Sequence, residues 1–186
     1  CFNQLAMHLS LKPSIWIKSQ INNFIKKNES HKQFSMVDIA CGNGRHVKEF
    51  HKIIKITAID YNKNYINNLS NLENVNFLNL NLESPKFKSN FNQKFDIVLN
   101  TNFLYRPLIP KLFDMVYPNG IILFETFGEG NEKFGKPKNP KYLLKNNELR
   151  SYLPEHFEEL YFFHGIVKNP NKAVKQYLSA RNKLKL

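Results

Sequence analysis

The sequence predicts an α/β fold, a doubly wound and mostly parallel sheet that ends in an antiparallel strand. Three observations carry this prediction. Apolar runs recur at Met36–Ile39, Lys55–Ile59, Phe95–Leu99 and Ile121–Phe124, continuous enough for strands buried on both faces. Segments with helical spacing separate several of them. The chain then closes on two strand-like segments, Phe157 to Val167 and Ala173 to Arg181, near enough in sequence for a hairpin.

Taken in order, Pro13 to Lys27 reads as an amphipathic helix. Trp16, Ile17, Ile21, Phe24 and Ile25 lie near one face, with Pro13 acceptable in the first turn. Asn28 to Phe34 is a polar connector. The first strand runs into Gly42 and Gly44, spaced G-x-G, after which Val47, Phe50, Ile53 and Ile54 recur at helical spacing. Asp60 closes the second strand, and Asn62 can cap a helix through Leu69 and Leu72. Asn74 to Leu80 alternates in period two, a third strand. Ser84 to Lys94 is short and polar, so the crossover there reads as degenerate. After the fourth strand, Leu108 to Val116 forms a helix and Pro118-Asn119-Gly120 a tight turn. The fifth strand ends at Glu125-Thr126-Phe127, followed by a long loop, Gly128 to Pro140. Asn146 or Asn147 caps a helix through Tyr152. In the last strand, Val174, Gln176, Leu178 and Ala180 share one face, and Lys175, Tyr177, Ser179 and Arg181 the other.

The length of 186 residues suits one domain with a sizeable core, and 42% hydrophobic residues argue against disorder. No run approaches a membrane span, and Cys1 to Leu11 lack the basic start and apolar core of a signal peptide. Cys1 and Cys41 are the only cysteines, which disfavours a disulfide framework and points to a reducing compartment, the cytoplasm or an organellar matrix. Histidines are scattered, so no metal is expected. The net charge of +12 raises RNA as a partner. Only four arginines contribute, however, and spread lysines with abundant asparagine fit the codon bias of an AT-rich genome at least as well.

The stretch Val37-Asp38-Ile39-Ala40-Cys41-Gly42-Asn43-Gly44-Arg45-His46 organises the rest. Strand, glycine turn and helix bring a bare backbone close to a nucleotide. A carboxylate at the end of the second strand can accept from both ribose hydroxyls. A dinucleotide fingerprint needs a third glycine where Val47 stands, so NAD or FAD is disfavoured. With Asp38 before the turn, the pattern D-x-x-x-G-x-G resembles motif I of class I S-adenosylmethionine-dependent methyltransferases, with Ala40 where that family usually has glycine. The resemblance implies a Rossmann-like, seven-stranded sheet with an antiparallel terminal strand. It implies S-adenosylmethionine as cofactor, bound by Asp38, Ala40, Cys41, Gly42 and Gly44 at the turn, with Asp60 and Tyr61 at the ribose. Asn81 and Leu82, with Glu83 as another choice, stand where the family places an acid beside the adenine. It also implies a helical segment over residues 1–35 that packs on or caps the core, and a cofactor-binding domain over 36–186.

The fourth strand resembles motif IV, which puts Asn100, Asn102, Tyr105 and Arg106 beside the methyl group. Arg106 is a candidate for holding an anionic substrate or for a salt bridge to Glu125 or Asp96. Glu125, Tyr105 or His164 can act as a base, and Glu125, Asn131 and Glu132 are candidate substrate contacts. The wording Glu-Thr-Phe, Gly-Asn-Glu, Phe-Gly-x-Pro, Asn-Pro, Leu-Leu, Asn-Glu-Leu resembles small bacterial methyltransferases related to the tellurite-resistance type. The expected activity is methyl transfer to a small molecule. The alternatives are a tRNA, rRNA or protein methyltransferase, or a non-catalytic relative serving as a subunit.

Overall fold

Each apolar run finds its hydrogen-bond partners in a single sheet. The computed structural model describes residues 12–28, 33–67, 69–84 and 92–184. Its strands are β1 (Ser35–Ile39), β2 (Lys55–Asp60), β3 (Val75–Asn79), β4 (Phe95–Thr101), β5 (Val116–Phe127), β6 (Phe157–Val167) and β7 (Ala173–Asn182). They order β3-β2-β1-β4-β5-β7-β6, with β1 to β5 mutually parallel and β7 antiparallel to both neighbours. The C-terminal ends of β1, β2, β4 and β5 and the N-terminal end of β7 therefore share one edge. Ligands in open α/β sheets bind beyond that edge, where the strand order reverses.

Helices cover both faces. On one, α1 (Ile15–Lys27) and α2 (Arg45–Phe50) bury Ile17, Ile21, Phe24, Val47 and Phe50 against Ile56, Ile97, Leu99, Ile121 and Leu123. On the other, α4 (Ile109–Asp114) and α5 (Glu148–Ser151) bring Leu112, Phe113 and Leu149 against Val37, Val98, Ile122, Phe124 and Leu178. Alternation along a strand sends adjacent residues to opposite faces, so Leu123 and Glu125 face α1 while Phe124 faces α4.

Several boundaries differ from the sequence reading. The helix after Asn62 is only α3 (Lys63–Asn67). Asn62 caps it as expected, its side-chain oxygen accepting from the Asn64 N–H (3.0 Å), but the helix does not run through Leu72, which closes a turn. Ile53, expected on the buried face of α2, lies past its end and is exposed, while Ile54 is buried. β4 extends through Asn100 and Thr101, because both pair with β5 at Phe124 and Glu125. β5 starts at Val116, before the predicted turn, since Val116 pairs with Phe95 and the register then shifts. The short crossover read over 84–94 falls mostly outside the described residues.

Gly120 lies at that shift. A Cβ there would sit 2.7 Å from the Asp96 carbonyl oxygen and 3.0 Å from that of Tyr117, backbone atoms that cannot swing aside. Gly120→Ala should cost roughly 1–3 kcal/mol through overpacking. At about 2–4 °C per kcal/mol for a chain of this size, a thermal melt will read the loss.

Candidate functional site

The chain leaves β1 through an unusually bent backbone. Ala40, Gly42 and Gly44 all lie at positive φ, +53°, +55° and +66°. A non-glycine residue pays roughly 1–2 kcal/mol for this region, so Ala40 is strained where glycine would not be. Hydrogen bonds hold the bend: Cys41 N–H donates to Ile59 O (3.0 Å) and Gly42 N–H to Asp60 Oδ2 (2.9 Å). At Gly44 a Cβ would collide with the Leu69 side chain at 2.4 Å, whereas at Gly42 it would meet nothing within 4 Å. The turn is closed on one side and open at Gly42.

Two carboxylates flank it. Asp60 Oδ1 also accepts from the Asn62 N–H (2.9 Å), and a carboxylate has lone pairs left for further donors. Asp38 is fully buried, and neither of its oxygens has a hydrogen-bond partner among the described residues. Burial pushes its carboxyl up to about 7, the nearby Arg45 pulling it down and Asp60 adding to the rise. His46 Nε2 accepts from the Ser14 N–H (3.2 Å), so Nδ1 carries the proton, 4.0 Å from Asp38 Oδ2. Burial, reinforced by Arg45, drives the His46 imidazole down to about 3, and it stays neutral. Arg45 Nη2 is likewise buried without a partner. Asp38 and Arg45 thus bury polar atoms that the described residues leave unsatisfied.

A second cluster stands at the ends of β4, β5 and β7, on the α1 face. Glu125 Oε2 accepts from the Ser14 hydroxyl, and its Oε1 is 3.9 Å from Lys175 Nζ. The Lys175 ammonium donates to Asn102 Oδ1 and sits 3.6 Å from the centre of the Phe127 ring. Asn102, at φ +53°, is held by its N–H to Glu125 O (2.8 Å). Trp16 stacks on Tyr177 with ring centres 4.7 Å apart. Burial, with Glu125 close by, pushes the Tyr177 hydroxyl far above its usual range, which keeps it protonated.

Residues 36–120, from β1 into the first residues of β5, match the family described as methyltransferase domain. That stretch is similar to a methyltransferase domain, and the sheet has the fold of solved class I methyltransferases. It is 29% identical over 152 residues to the malonyl-[acyl-carrier protein] O-methyltransferase of Calditerrivibrio nitroreducens, covering 78% of this chain and 60% of that protein. TehB from Haemophilus influenzae superposes with a TM-score of 0.65 at 19% identity, over 87% of this chain and 62% of its own. The plantazolicin methyltransferase BamL, solved with a triazolic desmethylPZN analog and SAH, gives a TM-score of 0.72 at 14% identity over 98% and 89%. The chain thus spans about three-fifths of the first two proteins. Among the described residues, no helix is long and apolar enough to cross a membrane.

The fold brings together Asp38, Ala40, Cys41, Gly42, Gly44 and Asp60 at the turn, and Asn102 and Glu125 at the neighbouring strand ends. Tyr61 follows Asp60 and is 53% exposed, open to a partner. Leu82 is a core side chain, while Asn81 is exposed and accepts from the Glu83 N–H (3.0 Å). Asn100 caps its own turn, its amide donating to Phe103 O (2.9 Å). Tyr105 packs half-buried against the α4 core.

Arg106 is where the reading changes most. Its guanidinium pairs with Glu148 (2.5 and 3.0 Å) and donates to the carbonyls of Lys141 and Leu143, both at 2.7 Å. The expected partners, Glu125 and Asp96, are committed to Ser14 and Ser35. Arg106 therefore fastens the long loop rather than facing the cleft. Asn131 bridges Val174 N–H and Pro137 O, and Glu132 accepts from Gly130 N–H, so both shape the loop. His164 pairs with Gln176 (2.7 Å) on the face opposite Glu125. Sequence reasoning gave no role to Ser14, Arg45, His46 or Lys175. A lysine sharing one face of the last strand with Tyr177 was the available signal at Lys175.

Asp38 provides a test with a defined sign. Its folded pKa lies above the unfolded value, so its contribution favours folding at low pH and is lost as pH rises from 3.8 through about 7. Stability of Asp38→Asn relative to the unsubstituted chain should improve by a few kcal/mol across that range, read by denaturant titration at several pH values.

Proposed function

We propose that this chain binds S-adenosylmethionine and transfers its methyl group to a small-molecule acceptor. The observation that carries the reading is the turn itself, open at Gly42, tied to Asp60 and lying beside the unpartnered carboxyl of Asp38. An orphaned buried acid beside an open turn suits a ligand bearing positive charge, as this cofactor does. Bound there, the cofactor supplies a methyl group on a sulfonium, a good leaving group for in-line displacement.

In this reading the Asp60 carboxylate receives the ribose hydroxyls, with Tyr61 packing on the nucleoside and the Asn81–Leu82 segment edging the base. Ala40, Cys41, Gly42 and Gly44 offer backbone to the amino-acid portion, with Asp38 and Asn100 beneath it. Asn102 and Tyr105 orient the acceptor. Glu125 takes the proton when the nucleophile is an amine or hydroxyl. The described part of the segment 1–35, with α1 at its centre, acts as a cap on the domain formed by 36–186, with Ser14 and Trp16 excluding water from the reacting atoms. The names of the malonyl-[acyl-carrier protein] and plantazolicin enzymes support a small or carrier-borne acceptor. Sparse cysteine usage supports a reducing compartment such as the cytoplasm.

The net charge of +12 favours RNA as a second reading. Binding of a tRNA pool at low and moderate salt separates the two. A true RNA acceptor loses affinity steeply with salt, and for a small-molecule enzyme only weak, unsaturable association is expected.

Asp60→Ala should weaken S-adenosylhomocysteine binding by ~1–3 kcal/mol, the scale of lost hydrogen bonds to a charged group. Calorimetric titration measures it, and undiminished affinity in the variant contradicts the assigned ribose site.

A further inference from the structure

Resting on that reading, we infer that the methyl acceptor carries a carboxylate, and that Lys175, on the acceptor side of the cleft, receives it. Lys175 is 7% exposed, yet its surroundings neutralise it only in part. Asn102 offers a neutral amide oxygen and Phe127 a ring face. Among the described residues the one carboxylate within reach, Glu125, stands 3.9 Å away, beyond a hydrogen bond, with its other oxygen on the Ser14 hydroxyl. Burying an ammonium with so little compensation is costly unless an anion arrives.

Unmatched donors accumulate on the same side. Arg45 acts electrostatically on Lys175 and Tyr177 from the glycine turn, and its Nη2 is buried without an acceptor. The indole Nε1 of Trp16, stacked on Tyr177, is buried and unpartnered too. Asp38 balances Arg45 incompletely, because burial leaves that carboxyl about half protonated near neutral pH. Burial, with Arg45 adding to it against the pull of Glu125, lowers the Lys175 amine only to about 8. The group thus stays largely cationic at neutral pH. A buried ammonium with one carboxylate near it, and two buried N–H donors without acceptors among the described residues, call for an anionic ligand. The aromatic walls of Trp16, Phe127 and Tyr177 select one with an apolar body rather than a bare inorganic ion.

The strand order keeps this subsite apart from the nucleoside. Asp60 closes β2, whereas Lys175 enters from β7, with β1, β4 and β5 between them. Charge at Lys175 should therefore govern the acceptor without governing the cofactor.

Trp16 is the only tryptophan, so its fluorescence reports on this pocket. The full chain, saturated with S-adenosylhomocysteine, is titrated with benzoate, with its neutral isostere benzamide, and with inorganic phosphate. Benzoate should give a saturable change, and Lys175→Gln should weaken it by about tenfold or more, the scale of one charged hydrogen bond. Lys175→Arg should keep most of the affinity, and Glu125→Gln, which removes the competing carboxylate, should raise it. Calorimetry should find S-adenosylhomocysteine affinity in Lys175→Gln unchanged within about twofold, as expected for a distant, independent site. The inference is overturned by benzamide matching benzoate, by phosphate binding more tightly, by equal benzoate affinity in Lys175→Gln, or by no saturable change at all. Failure of S-adenosylhomocysteine itself to bind the unsubstituted chain overturns the methyltransferase reading instead, so the two failures are told apart.

Discussion

The hydrogen bond from the Gly42 amide to the Asp60 carboxylate joins the bend after β1 to the end of β2. It exists only because β1 and β2 run parallel in a register that sets Ile39 beside Ile59 and lets the Cys41 amide reach the Ile59 carbonyl. Once made, it holds the glycine turn in left-handed backbone and fixes the direction of the Asp60 carboxylate. It also leaves the space before Gly42 open, because the turn is anchored from the side. Local strain at Ala40 is tolerated within this frame, where neighbouring pairing over-determines the backbone.

Strand order then separates charge along the sheet edge. Asp38 and Asp60 stand at the ends of β1 and β2, while Lys175 arrives from β7 beyond β5. A strand parallel to the others would present its C-terminal end here. Being antiparallel, β7 delivers its first residues instead, and Lys175 lands opposite Phe127 and beside Glu125. Parallel strands thus carry Asp38 and Asp60 to one side of the cleft, and a single reversed strand carries Lys175 to the other, beside Glu125.

Segments distant in sequence brace the cleft. The first turn of α1 reaches it through the Ser14 hydroxyl on Glu125 and the Ser14 amide on His46. Arg106 pins the loop after β5 through Glu148 and two carbonyls, and Asn131 ties that loop to the start of β7. These are polar contacts in a partly buried setting, where unmet groups are costly, so they order irregular backbone that has little core of its own.

The sequence by itself determined the strands, the glycine bend and the acid that closes β2. Those features are local: an apolar run buries both faces of a strand, and a left-handed turn favours glycine wherever it occurs. The helix end after Asp114 was less legible, since pairing of Val116 with Phe95 competes with helical propensity there. What only the tertiary structure decided was which polar groups face one another. Arg106 and Lys175 look equally available as cations in the chain. One is drawn off by Glu148, forty-two residues away, and the other is carried by β7 to Glu125 and Asn102. Such pairings depend on Coulomb and hydrogen-bond partners set by strand order, and neither periodicity nor spacing encodes them.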